Sequence, residues 1–180
     1  MEIIETGFKD LLLLKPKVFK DPRGYFYESY NNEIFKNIGI NQEFIQDNQS
    51  LSNKNIVRGM HFQAPPHAQG KLVRVIKGAV QDVVVDIRKS SPTYGKNYSV
   101  DLTEENFLML WIPPGFAHGF ATLEDHTIFA YKCTDTYHPE TEGGIAWDDR
   151  EIGIKWQVDE PILSEKDTKY KPFSLFISPF

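Results

Sequence analysis

Three stretches of this chain set polar side chains among glycines and prolines densely enough to carry chemistry. They are Arg58-Gly59-Met60-His61-Phe62-Gln63 running on through Pro65-Pro66 to Gln69-Gly70-Lys71-Leu72, then Ile112 to Phe120, then Tyr131 through Tyr137 to Glu142. Imidazole titrates near neutrality, so His61 is either a general base or a structural residue hydrogen-bonded in a loop. Arg58 and Lys71 close by in sequence suit a substrate that carries phosphate or develops an oxyanion. Tyr131 reads as a packing residue with its hydroxyl at an edge, or as a general acid; Tyr137 as packing, or as an aromatic platform. Ser164-Glu165-Lys166-Asp167 has the spacing of a capping box, and Asp167 could equally orient a histidine; the pattern leaves both open. Arg23 and Glu28 flank a Pro-Gly turn as a surface salt bridge would, and Gln46-Asp47-Asn48 reads as a polar loop.

A metal centre is the other chemistry that His61, His67 and His118 invite. Pro113-x-Gly115-x-x-His118 resembles the second motif of metal-binding cupins. Their first motif needs two histidines one residue apart and a glutamate shortly after. Here His61 is followed by Phe62-Gln63, and no glutamate lies between Glu43 and Glu104. A stable site needs three or four convergent ligands, so no metal is expected. Parity adds a structural condition. Arg58 and His61 are three apart and would face opposite sides of a regular strand, so if they share a pocket Gly59 sits at a bulge or bend.

The elements that must hold these groups are short. Turn signals at Asp21-Pro22-Arg23-Gly24, Pro65-Pro66, Gly78, Ser91-Pro92, Pro113-Pro114-Gly115 and Gly143-Gly144 separate brief runs rich in Val, Ile, Phe, Tyr and Thr. This is the pattern of an antiparallel sandwich or barrel. Strands are expected at Leu72–Ile76, Val80–Ile87, Asn97–Leu102, Phe107–Ile112 and Thr127–Cys133, with Val83, Val85 and Ile87 on one face and Asp82, Val84 and Asp86 on the other. A short helix is expected over Asn31–Asn37, and another start at Ser164. With 180 residues and no repeat or linker, the economical reading is one mostly-β domain over residues 1–180.

Twenty basic and 25 acidic side chains give 20 − 25 = −5, which disfavours nucleic-acid polymers and anionic membranes as partners. The single cysteine, Cys133, allows no intramolecular disulfide and no multi-cysteine metal site. The run Leu11–Leu14 is too short for a signal-peptide core or a membrane span, so a cytoplasmic location is expected. The aromatic tail Lys169–Phe180 is expected to be buried, on its own domain or on a partner.

Taken together and in order, eight motifs resemble the dTDP-4-dehydrorhamnose 3,5-epimerase family, RmlC-like members of the cupin superfamily. They are Asp21-Pro22-Arg23-Gly24-Tyr25-Phe26-Tyr27-Glu28, Gln46-Asp47-Asn48-Gln49-Ser50, Arg58-Gly59-Met60-His61-Phe62-Gln63, Gln69-Gly70-Lys71-Leu72-Val73-Arg74, Asp82 to Arg88, Ser91-Pro92-Thr93-Tyr94-Gly95, Pro113 to Phe120, and Leu163 to Asp167. The resemblance implies a cupin-like jelly-roll β-sandwich or barrel with a few short helices, a homodimer, and no metal or organic cofactor. It implies a small-molecule partner, dTDP-4-dehydro-6-deoxy-glucose, whose C4 ketone acidifies the protons on C3 and C5. It assigns His61 as the base with Asp167 as its dyad partner, Lys71 to the enolate oxygen, and Tyr131 as the acid on the opposite face. Arg23, Glu28, Gln46, Asp47, Asn48, Arg58, His118, Glu142 and Lys166 are placed around the substrate, with Tyr137 stacked on thymine. In a homodimer some of these serve the neighbouring subunit. The competing readings are a mono-epimerase acting at C3 or C5 alone, a non-catalytic sugar-binding cupin, and a metal-dependent cupin.

Overall fold

Thirteen short strands, in a computed structural model covering residues 1–180, account for most of the chain's regular structure. In chain order they are β1 (Glu2–Glu5), β2 (Leu12–Lys15), β3 (Phe19–Asp21), β4 (Gly24–Phe26), β5 (Gln46–Ser52), β6 (Val57–Gln63), β7 (Lys71–Lys77), β8 (Ala79–Asp86), β9 (Asn97–Thr103), β10 (Met109–Ile112), β11 (Phe116–Thr122), β12 (Thr127–Cys133) and β13 (Glu142–Gly144). They build a six-stranded sheet ordered β1-β2-β10-β7-β12-β5, a five-stranded sheet ordered β13-β6-β11-β8-β9, and a separate β3-β4 hairpin. All of these pairings are antiparallel. The two larger sheets close on a shared core that includes Leu13, Val73, Val84, Leu110, Phe116 and Phe129. This is the expected jelly-roll sandwich.

The period-two reading of β8 holds, with one addition. Val80 and Val84 pack into the inter-sheet core, while Val83, Val85 and Ile87 belong to a second cluster on the outer face with Met60, Phe62 and Ile145. That outer face is roofed by the tail. Phe176 and Phe180 pack edge-on against Phe62, and Phe173 tilts against Tyr94. Every residue of β8 is therefore buried, and the aromatic tail folds onto its own domain. Its side chains are not uniformly covered, since Leu175 and Ile177 stay exposed.

Two expected elements change at their ends. The strand expected from Phe107 begins at Met109, because Asn106 Oδ1 accepts the backbone N–H groups of Thr103 and Leu108 and curls the chain into a turn with Phe107 at φ 56°. The helix expected at Ser164 is a single 3₁₀ turn, Asp167–Lys169. The Asn31 side chain caps α1 (Asn32–Asn37) as a turn-former should, and the helix buries only Phe35.

Candidate active site

The parity problem posed by Arg58 and His61 is resolved by a bulge. On β11 His118 and Phe120 are two apart, yet they pair with His61 and Arg58, which are three apart on β6. The extra residue turns both side chains to the same cavity. Gly59 makes this possible: its φ is 142°, and a Cβ there would sit 2.5 Å from Gly119 Cα.

The cavity has a volume of about 560 Å³, ample for a small-molecule site, and lies between walls drawn from both sheets. His61, Arg58 and His118 come from the five-stranded sheet; Lys71 and Tyr131 come from the six-stranded one. Asp167 and Lys166 close it from the 3₁₀ turn and its approach, beside Ile162, Leu163 and Ser164.

His61 Nε2 lies 2.6 Å from Asp167 Oδ1, and the Asp167 side chain is only 4% exposed. Burial pushes the Asp167 carboxyl up, but the bond from His61, its charge, the Gly59 backbone N–H and the Ser164 hydroxyl hold it below the usual range. An ionised carboxylate only accepts, so Nε2 carries the shared proton. Tyr170 packs its ring edge against His61 at 5.6 Å and fixes the imidazole plane. The capping and dyad readings of Asp167 coexist: its backbone N–H donates to Ser164 Oγ at 3.2 Å while its carboxylate turns to His61.

Across the cavity, Lys71 on β7 and Tyr131 on β12 share a face, because Lys71 pairs with Cys133 and Val73 with Tyr131. The Lys71 Nζ sits 5.9 Å from the Tyr131 ring centre. Desolvation by the packed surroundings lowers the Lys71 pKa, although the side chain keeps a partial opening, while the charges of Cys133, Glu142 and Asp82 oppose it. Burial raises the Tyr131 pKa, with Cys133 and Glu142 adding and Arg58 opposing, so its phenol holds its proton at neutral pH.

The remaining groups form the rim and supports. Tyr137 donates to Glu142 at 2.8 Å and Lys166 to the other Glu142 oxygen at 2.6 Å. Gln46 and Asn48 line an adjoining cavity of about 260 Å³ that shares His61, Lys71, Tyr131, Tyr137 and Glu142. Behind the wall, Ser52 accepts from the Arg58 guanidinium and buried Asp82 binds His118 at 2.9 Å.

Three expected contacts are not brought to this cavity by the same chain. Arg23 lies on the β3-β4 hairpin, 90% exposed and paired with Asp21. Glu28 accepts from Asn31. Asp47 alternates away from Gln46 and Asn48 and pairs with Lys132 at 2.9 Å. Conversely, Tyr170, Ser52 and Ile162 give no signal of a role in the sequence, whereas Asp82, Gln69, Leu163 and Ser164 stand in family motifs that assign them no place at the substrate.

A carboxylate-backed histidine on one wall and a protonated tyrosine beside an ammonium on the other are the groups that acid–base proton transfer requires, here on a jelly-roll scaffold. Comparison with known proteins narrows that class. The chain matches the dTDP-4-dehydrorhamnose 3,5-epimerase family over residues 5–174, and it belongs to that family. It is 51% identical over 174 residues to the dTDP-4-dehydrorhamnose 3,5-epimerase of Shigella flexneri, covering 96% of each chain. A solved structure of dTDP-6-deoxy-D-glucose-3,5-epimerase RmlC from Legionella pneumophila Philadelphia 1, in complex with dTDP-4-keto-L-rhamnose, superposes with a TM-score of 0.94 at 46% identity, covering 98% of this chain and 94% of that one. A more distant relative, the dTDP-4-dehydrorhamnose 3-epimerase of Streptomyces niveus, is 36% identical, with 93% of this chain and 81% of the relative covered. The relatives are isomerases.

Proposed function

We propose that this chain inverts C3 and C5 of dTDP-4-dehydro-6-deoxy-D-glucose, giving dTDP-4-dehydro-L-rhamnose. The observation that carries this reading is the placement of His61–Asp167 and Tyr131 on opposite walls of one cavity. Inversion beside a ketone requires a proton to leave one face of the carbon and another to arrive on the opposite face.

His61 takes the proton from C3, and the electron pair flows into the C4 carbonyl as an enolate. Asp167 stabilises the resulting imidazolium, and the Lys71 ammonium stabilises the oxyanion. Tyr131 then donates its phenolic proton to the opposite face of C3; the phenolate is reprotonated from solvent, and His61 releases its proton to solvent and is again a base. The same cycle at C5 completes the reaction. At the nucleotide end, Arg58 supplies planar donors for the diphosphate and Tyr137 a stacking face for thymine. His118, Glu142 and Lys166 position the remaining polar groups, with Gln46 and Asn48 in the adjoining cavity. Arg23, Glu28 and Asp47 fit a homodimer in which they reach a second copy's pocket. The exposed Phe19, Tyr25 and Phe26 of the hairpin support such an interface. No helix is long and apolar enough to cross a membrane.

The test is NMR of dTDP-4-dehydro-6-deoxy-glucose with the protein in D2O. Deuterium at both C3 and C5 is the expected result. Deuterium at one carbon alone would make the chain a mono-epimerase, and no exchange would overturn the enzymatic reading.

A further inference from the structure

The loop from Ala64 to Gln69 and the loop from Thr134 to Glu140 bring three metal-ligating side chains together, none of which lines either cavity. His67, Asp135 and His138 each offer a ligand atom within 4.8 Å of the others. His67 Nδ1 is 3.3 Å from Asp135 Oδ2. Ligand bonds of 2.0–2.1 Å give a tetrahedral site edges of about 3.3 Å, so this pair already has the required separation. The third ligand has an outer partner in place. Glu140 Oε1 lies 3.0 Å from His138 Nδ1, the carboxylate–histidine arrangement that assigns Nε2 to a metal, and the Thr136 hydroxyl, 3.2 Å from Nε2, gives up that contact when the metal binds.

We propose that His67, Asp135 and His138 bind a borderline divalent transition metal such as Zn²⁺, clamping the two loops beside the catalytic cavity. Two imidazoles and one carboxylate favour zinc-like ions over Mg²⁺ or Ca²⁺, which prefer oxygen alone. The charge balance favours a cation as well, because the only ion-pair partners of Asp135 and Glu140 here are the two histidines themselves.

The backbone beneath the site is pinned in advance. The buried Gln63 side chain donates to the carbonyls of His67 and Thr136 and accepts the N–H of His138, tying both loops to one residue. Gln69 adds bonds to the carbonyls of Asp135 and Thr136. One adjustment is required. The imidazoles of His67 and His138 stack 3.5 Å apart and 8° from parallel, so their in-plane lone pairs do not converge. One ring must turn about its Cβ–Cγ bond. That torsion is soft, and the side chains are 35% and 28% exposed, with room to move. The consequence reaches Tyr137, which lies between two of the ligand-bearing positions and stands at the cavity rim.

The site is tested on full-length, chelator-treated protein by calorimetric titration with Zn²⁺ and by the visible spectrum with Co²⁺. One equivalent should bind, Co²⁺ should give a tetrahedral spectrum, and saturating Zn²⁺ should raise the unfolding temperature. His67→Ala and His138→Ala should each weaken binding by at least about tenfold, and Glu140→Gln by about 10–100-fold. All three change partly exposed side chains, and their metal-free unfolding temperatures check that the fold survives. His126→Asn, an exposed histidine elsewhere, should bind as the unmodified chain does. Absence of saturable binding, or equal affinity in His67→Ala and His138→Ala to that of the unmodified chain, overturns the proposal. The outcome is independent of whether the chain epimerises a dTDP-sugar.

Discussion

Asp167 and His61 lie 106 positions apart in the chain and meet at 2.6 Å, the carboxylate sealed and the imidazole open to the cavity. Asp167→Asn keeps the shape and the Ser164 cap but removes the charge that stabilises the imidazolium. Deuterium exchange at C3 and C5 should fall by about 10²–10⁴, while the dissociation constant for dTDP stays nearly unchanged. A loss of binding equal to the loss of exchange would mean that Asp167 is structural. The same ion pair predicts a pH effect on stability. Because the folded pKa of Asp167 lies below its ordinary 3.8, its stabilising contribution is present above that value and is lost as pH falls through the folded pKa. Acid unfolding of Asp167→Asn should therefore be less steep than that of the unmodified chain.

Tyr131 lines the cavity from the other sheet, so removing its hydroxyl should separate two events that the proposed reaction joins. In Tyr131→Phe, proton removal by His61 and return of deuterium to the same face should persist, while inversion drops by about 10²-fold or more. NMR in D2O reads both at once, through label incorporation and product stereochemistry. Equal loss of label and of inversion would take the acid role away from Tyr131.

Lys71 is held in a setting that disfavours its charge, and the direction of that shift fixes the alkaline behaviour. Its ammonium loses a proton at lower pH than the ordinary 10.5, so kcat/KM should decline on the alkaline side earlier than a free lysine would dictate. Lys71→Met should erase that limb and lower kcat by about 10²–10³, the usual cost of losing an oxyanion donor. Stability should move the other way. The unfolded chain binds this proton more tightly, so the native state bears a cost at neutral pH that shrinks as pH rises from the folded pKa towards 10.5. Lys71→Met should thus melt no lower than the unmodified chain at pH 7.

How much of the molecule is legible in the sequence follows the range over which each signal acts. The alternation of β8 and the Asn31 cap are local, and both can be read directly. The start of β10 cannot, because it depends on where one Asn106 side chain bonds, which hydrophobic alternation does not record. The His61–Asp167 pairing is non-local and is reached only through family resemblance. Tyr170 is silent because an aromatic in a tail looks like core filling. Its contact with His61 exists only because the tail folds back across β6 and β13. Arg23, Glu28 and Asp47 point away from their own chain's cavity for a related reason, since hairpin and edge-strand positions are set by neighbours the local sequence does not encode.

The bulge that brings Arg58 and His61 to one face depends on two glycines meeting across β6 and β11. A Cβ at Gly59 would press on Gly119 Cα at 2.5 Å, and one at Gly119 would press on the Arg58 carbonyl and Met60 Sδ at 2.7 Å. The Gly119 Cα and Arg58 carbonyl are backbone, which cannot swing aside as the Met60 side chain could. Gly59 also holds a φ of 142° that L side chains rarely adopt. Gly59→Ala should therefore cost at least about 1–3 kcal/mol in denaturant unfolding. If the strand relaxes by returning to regular pairing, parity turns either Arg58 or His61 out of the cavity. The surviving folded protein should then lose exchange at C3 and C5 far beyond what its lower stability explains, measured well below its unfolding midpoint. A Gly59→Ala protein with unchanged stability and unchanged exchange would show that the bulge does not set the catalytic face.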